Sequence, residues 1–202
     1  MSVVARGLTK RYGARVVLDA CDLEAPEGSI VLIAGSNGSG KSTLLRCLAG
    51  LARCEGEVRM LGAPPGRARG GEVAYLPQSV ELPCATTVRE ILDLFGADER
   101  DAPADWLPPA TARIGGLSGG ELQRVAILAT LSPRPRVALL DEPTADLDGP
   151  ARASLFAWLA RLRDAGTTVL VTAPAPDRDE LARAADRRVD LVGGGRCVQA
   201  VA

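Results

Sequence analysis

The chain has 202 residues, 47% hydrophobic and 3% aromatic, with 24 basic against 25 acidic side chains and a formal net charge of -1. That length buries one sizeable core, and the near-neutral balance argues against a broad electrostatic grip on nucleic acid. Histidine is absent, which excludes histidine triads and histidine metal sites, and five cysteines without a C-x-x-C pair suggest neither a zinc site nor a disulfide framework.

In chain order, Val3–Leu8 and Val16–Glu24 read as early strands. Ser29–Ala34 is a short apolar run ending at glycine, which predicts a buried strand. Lys41–Leu51 follows as a helix, with Leu44, Leu45, Leu48 and Leu51 on one face and Gly50 near its end. Glu57–Leu61 and Glu72–Leu76 are predicted strands, separated by a Gly/Pro/Arg-rich loop at Gly62–Gly71.

Thr87-Val-Arg-Glu90 is a capping box opening a helix that carries Val88, Ile91, Leu92 and Phe95. Asp98–Gly116 is proline-rich and predicted irregular. Ser118-Gly-Gly-Glu121 is a second capping box, followed by Leu122, Val125, Ala126 and Ala129 at helical spacing. Arg136–Leu140 reads as a strand, Gly149–Asp164 as a helix and Thr167–Thr172 as a strand. Asp177–Ala185 reads as helical and Arg188–Val192 as extended, with Gly193–Gly195 turning into a last strand. Continuous apolar runs such as Val137–Leu140 are what a parallel sheet covered on both faces requires. The stretch from about Ser79 breaks the α/β alternation and is the expected subdomain.

Gly35-Ser36-Asn37-Gly38-Ser39-Gly40-Lys41-Ser42 satisfies G-x-x-x-x-G-K-[ST] between a predicted strand and a predicted helix, with Thr43 next in line. Glycines let the backbone wrap a phosphate with its N–H groups inward, and the helix dipole aims at the same anion. Lys41 is placed to reach the β- and γ-phosphates of ATP and the Ser42 hydroxyl to hold Mg²⁺. The chain uses arginine for every cation except Lys10 and Lys41, so a lysine here marks a place where a compact ammonium is wanted.

Arg136–Leu140 ends in Asp141 and Glu142, two carboxylates at the carboxyl edge of the sheet, where ligands bind in open α/β folds. Asp141 suits a Mg²⁺ shell and Glu142 suits polarisation of an attacking water. Ser118, Gly119 and Gly120 open a capped helix and form an anion nest of glycine amides and a hydroxyl.

With Leu117-Ser118-Gly119-Gly120-Glu121, the sequence resembles the ABC ATPases, whose signature motif this string matches. Other residues are similar to that family's in the same order. Tyr12 resembles the aromatic that stacks on adenine, Gln78 the glutamine that senses Mg²⁺ and the attacking water, and Asp146 the loop that crosses the dimer interface. The resemblance runs from about Leu8 to Arg196. It implies an α/β P-loop NTPase fold with a mostly parallel sheet, an N-terminal antiparallel β part and a small helical subdomain at about 79–130, all within a single domain of 1–202.

The resemblance further implies ATP and Mg²⁺ as ligands, and two subunits, as homodimer or heterodimer, sandwiching ATP between the phosphate loop of one and Ser118–Gly120 of the other. With no apolar run near the roughly 20 residues that cross a bilayer, and no leader pattern at the N-terminus, the expectation is a cytoplasmic chain. It would be peripheral to the membrane through a separate integral-membrane permease. That partner's groove is expected at the Gln78 loop and the helix from Thr87 to Phe95. The alternative is a soluble ABC-type ATPase acting on nucleic acid or ribosomes, although relatives of that kind usually carry tandem units or long insertions. The cysteines are expected to be buried in a reducing compartment.

One family position is not matched. Where the family carries a histidine that contacts the γ-phosphate, this chain has Val171-Thr172-Ala173-Pro174. Loss of a preorganised donor costs on the order of 10²–10³ in rate. Three readings follow: slow hydrolysis in an ATP-dependent clamp, pairing with a different ATPase subunit, or partial replacement by Thr172 or Arg178.

Overall fold

The computed structural model describes residues 1–68, 71–173, 177–193 and 195–201. Residues 69–70 of the glycine-rich loop, Pro174 and the middle glycine of the last turn lie outside the described residues. In chain order the elements are β1 (Val3–Tyr12), β2 (Arg15–Ala25), β3 (Ile30–Gly35), α1 (Lys41–Leu48), β4 (Glu55–Met60), β5 (Val73–Leu76) and α2 (Val88–Phe95). They continue with α3 (Gly119–Leu131), β6 (Val137–Leu140), α4 (Gly149–Asp164), β7 (Thr168–Thr172), α5 (Arg178–Ala184), β8 (Arg187–Val192) and β9 (Arg196–Val201).

Two sheets result. β2-β1-β4 is a three-stranded antiparallel sheet, and β5-β6-β7-β3-β8-β9 is a six-stranded sheet. The latter is parallel except for β9, which runs antiparallel to β8. The fold is thus the α/β P-loop type, with an N-terminal antiparallel part and a mostly parallel main sheet.

The apolar runs supply two cores at once, because alternate residues of a strand face opposite sides. Ile30, Leu32, Ala34, Ala138, Leu140, Val169 and Val171 face a cluster built with α2, α3 and α4. Val31, Ile33, Val137, Leu139, Leu170 and Val189 face a second cluster with α1 and the antiparallel sheet. A period-2 polar pattern could not have served both sides, which is why these strands read as continuous hydrophobes.

Between β5 and β6 the chain leaves the sheet. Both capping boxes form: Thr87 with Glu90 at α2 and Ser118 with Glu121 at α3. The proline-rich stretch between them folds into two short 3₁₀ turns, Glu99–Asp101 and Ile114–Gly116. Trp106 pins it down: its indole Nε1 donates to the Arg124 carbonyl at 3.1 Å, and its ring meets Trp158 of α4 edge-on at 6.4 Å. Ser132 adds a tether, accepting from the Asp98 amide and donating to Asp101 Oδ2, both at 2.7 Å.

Several expectations need correction. β1 runs on to Tyr12, beyond the expected Leu8, because Gly13 closes a hairpin that lets it pair with β2 to its end. Leu51 is 66% exposed and outside the core, because α1 stops at Leu48 and Gly50 turns the chain away at φ 77°. Phe95 does lie in α2 as expected, and as its last residue before Gly96, at a left-handed φ of 65°, it is 49% exposed. Only Cys21 and Cys47 are buried; Cys84, in the loop before α2, is exposed.

Candidate functional site

Parallel pairing places the carboxyl ends of β3, β6 and β7 along one edge, with β7 between the other two. The loop Gly35–Ser42 leaves β3 there, and Asp141–Glu142 leaves β6 there. A cleft of about 420 Å³ opens at this edge, lined by Arg15, Val17, Asn37, Gly38, Gly40, Lys41, Ser42, Thr43, Gln78 and Glu142.

The start of α1 is left open for a ligand. Its N-cap Gly40 has φ 106° and offers no side-chain hydrogen bond, whereas Thr87, Ser118 and Asp148 each cap α2, α3 and α4. Among described helices of eight or more residues, α1 alone begins without a side-chain cap. Its first-turn amides are therefore available to an anion, in the direction the helix dipole favours. Gly40 must be glycine on two counts: its φ, and a Cβ that would stand 3.0 Å from Leu18 Cδ2 and 3.1 Å from the Val17 carbonyl. Ser39 Oγ is buried within the same loop without a partner.

Lys41 is 6% exposed, and its ammonium donates to the Gly35 and Ser36 carbonyls at 3.3 Å each. It also stands 3.7 Å from Glu142 Oε1. Gln78 Nε2 donates to Glu142 Oε2 at 2.9 Å. Lys41, Gln78 and Glu142, far apart in sequence, thus meet as one chain of contacts at the mouth of the loop.

Thr172, at the end of β7, ties the two carboxylate residues together. Its hydroxyl donates to Asp141 Oδ1 at 2.9 Å and accepts from the Glu142 amide at 2.7 Å. Asp141 is fully buried, and its other oxygen, Oδ2, has no partner. A buried carboxylate oxygen with one lone side suits a hard cation. Asp141, the Ser42 hydroxyl and the Gln78 amide oxygen are an oxygen set that fits Mg²⁺ shared with phosphate and water. Glu142 itself sits at a left-handed φ of 48°, a conformation a non-glycine residue holds only where its surroundings fix it.

The remaining predicted residues lie beside this centre. Tyr12 ends β1, half exposed, with the Lys10 ammonium 4.7 Å over its ring, and is not among the residues lining the cleft. Arg15 and Val17, across the hairpin from it, do line the cleft; their position follows from strand register, which sequence reasoning missed. Ser118, Gly119 and Gly120 face the Asp146 loop: a Cβ on Gly120 would stand 2.7 Å from the Asp146 carbonyl. Gln123, buried, donates to the Pro143 carbonyl at 3.1 Å and holds α3 against the loop after Glu142. The Ser118 hydroxyl is occupied within its own chain, donating to Glu121 Oε2 at 2.7 Å and accepting from the Glu121 amide at 3.3 Å. The hydroxyl bond, with the Ser118 amide donating to the same oxygen at 2.8 Å, holds the Glu121 carboxyl below the usual carboxylate range.

A larger groove of about 770 Å³ runs along the opposite edge, ahead of β6 and β7. Its size does not make it the site. Arg100, Arg134 and Arg136 there are paired with Asp98, Asp101 and Glu27 in ordinary surface ion pairs.

The ABC transporter family profile matches residues 18–145. The chain is 38% identical to the Fe(3+) ions import ATP-binding protein FbpC of Streptomyces avermitilis, over 98% of this chain and 62% of that protein. It is 36% identical to a putative ABC transporter ATP-binding protein of Halobacterium salinarum, over 94% of this chain and 88% of that one. It is also 36% identical to the sulfate/thiosulfate import ATP-binding protein CysA of Bordetella parapertussis, over 98% and 61%. The chain therefore spans less than two thirds of the iron and sulfate relatives. An ATP-binding subunit of an ABC transporter shares its fold with a TM-score of 0.85 at 24% identity, over 100% of this chain and 90% of that one. A dimeric bacterial ABC transporter cassette does so with a TM-score of 0.80 at 24% identity, over 98% of each chain. The chain belongs to the ABC transporter family.

Proposed function

We propose that this chain binds Mg²⁺–ATP in the cleft at Gly35–Ser42 and couples its binding and hydrolysis to transport through a separate membrane permease. The observation that carries the reading is the uncapped start of α1 beside the Lys41–Glu142–Gln78 contacts and the orphaned Asp141 oxygen. The loop amides and Lys41 hold and orient the phosphates. Ser42, Asp141 and Gln78 would hold Mg²⁺, which would supply a counter-charge to the phosphates. Glu142 accepts a proton from the attacking water, and the Gln78 amide holds that carboxylate in place.

The relatives named for iron and for sulfate or thiosulfate import favour import as the direction. No helix among the described residues is long and apolar enough to cross a membrane, and we assign the channel to a separate permease. The groove for it includes the Gln78 loop and the end of α2, where Leu94 is 75% exposed beside Phe95. A second ATPase subunit completes the site with its Ser118–Gly120, the helical subdomain spanning about 79–130 of a single ATPase domain. Such closure is a ligand-driven shift between two arrangements.

Hydrolysis is slow in this reading, because Ala173, 1% exposed, brings only a methyl group to the end of β7. Calorimetry with ATP and MgCl₂ tests the binding claim: no heat of binding removes the reading. Steady-state turnover of Ala173→His tests the slow step, with a rise expected and an unchanged rate counting against it. Co-purification with a membrane protein, as opposed to nucleic acid, tests the permease.

A further inference from the structure

A second cation reaches the phosphate loop from a direction the motif does not predict. Arg178 is the first residue of α5, and its guanidinium Nη2 donates to the Gly35 carbonyl at 2.9 Å. Lys41 Nζ donates to that same oxygen at 3.3 Å. Two positive side chains therefore converge on one carbonyl, an arrangement that like-charge repulsion opposes unless an anion joins them.

Among the described residues no carboxylate pairs with Arg178, and its Nε is buried without a hydrogen-bond partner. A buried guanidinium donor left open is costly, and a phosphate oxygen is the acceptor its planar fork matches. The backbone beneath it is fixed. Asp177, 5% exposed, is ion-paired with Arg152 of α4 at 2.9 Å and anchors the start of α5.

The location also selects which phosphate. Arg178 meets the loop at the Gly35 oxygen that Lys41 also holds, just outside the residues that line the cleft, and Lys41 in turn stands 3.7 Å from Glu142 Oε1. Glu142 serves the attacking water in the reading above, so this is the end occupied by the terminal phosphoryl group.

We propose that Arg178 is a phosphate-binding residue that contacts the γ-phosphate and gives the cleft its preference for ATP over ADP. It rests on the cleft being an ATP site. Ala173, just past β7, offers no side-chain donor, and Arg178 supplies one from the neighbouring helix. It binds charge but moves no proton, so it complements a slow site without restoring general acid–base help.

The test is calorimetry of ATP and of ADP, each with MgCl₂, on the wild-type chain, Arg178→Met and Arg178→Lys. Loss of one charge-assisted contact weakens ATP about ten-fold or more in Arg178→Met, while ADP changes less than about two-fold. Arg178→Lys keeps the charge and recovers part of the ATP affinity. Equal weakening of ATP and ADP, or none, overturns the proposal while leaving the ATP reading intact. A wild-type chain that binds neither nucleotide overturns both. Urea unfolding of the nucleotide-free variants separates a damaged fold, which lowers both affinities, from a lost contact, and Arg178→Lys carries the test should Arg178→Met fail to fold.

Discussion

Replacing Thr172 by valine keeps the shape of the side chain and removes one hydroxyl that serves two neighbours. The lost donor leaves Asp141 Oδ1 without its 2.9 Å bond, and the lost acceptor leaves the Glu142 amide without its 2.7 Å bond. A hydrogen bond to a charged group contributes about 1.5–3 kcal/mol, and an orphaned buried amide costs about 1–3 kcal/mol. An extra buried methyl returns about 0.8 kcal/mol at most. The expected loss is about 3 kcal/mol, a fall in Tm of about 6–12 °C for a chain of this size.

Thr168, at the other end of β7, is the internal control. Its hydroxyl also plays both parts, donating to the Pro26 carbonyl at 3.1 Å and accepting from the Gly28 amide at 3.2 Å, but with neutral partners. Thr168→Val should therefore cost less, about 1–2 kcal/mol, and leave nucleotide turnover unchanged. Urea unfolding of both variants, with ATPase rates alongside, measures the contrast. A Thr172→Val chain as stable as Thr168→Val, with wild-type turnover, would refute the idea that this hydroxyl holds the two carboxylate residues in place.

Gly40→Ala should abolish detectable ATP binding by calorimetry, since the new Cβ meets Leu18 and Val17 and the left-handed φ of 106° resists any side chain. Trp106→Phe removes the indole bond to Arg124 and should cost about 1 kcal/mol by urea unfolding, with amide exchange speeding up in residues 98–116 before it does in β3. The Glu121 carboxyl is held low by Ser118, so its stabilising effect is full above the ordinary glutamate value and lost as pH falls through the lowered one. The stability gap between wild type and Glu121→Gln should hold steady from pH 8 to about pH 5 and shrink on further acidification.

Much of this was legible in residue order. The phosphate loop is contiguous, and its glycines, lysine and serine announce the backbone shape they serve. Both capping boxes were readable because a cap is a contact three residues long. The strands of the main sheet were readable because burial on two faces leaves no polar alternation to confuse them. Contacts made by neighbouring strand ends were not. That Thr172 would lie between Asp141 and the loop depends on β7 sitting between β6 and β3, a strand order that no local pattern encodes. Arg178 was named as a replacement for the missing histidine, but its contact with Gly35 depends on α5 packing beside β3 and was not readable. Arg15 and Val17 entered the cleft through hairpin register. Leu51 was misjudged for a simpler reason: its helix stops at Leu48 and Gly50 turns the chain away before it.

The bare start of α1 has a consequence for how long the molecule survives in a cell. Three helices carry their own caps, whereas this one depends on a visitor to satisfy its first amides. A ligand at a hundred times its Kd adds about 2.7 kcal/mol to the folded state alone. On the proposed reading, nucleotide supply therefore tunes the fraction of chains open to proteases, and slower proteolysis with added ATP is the expected sign of it.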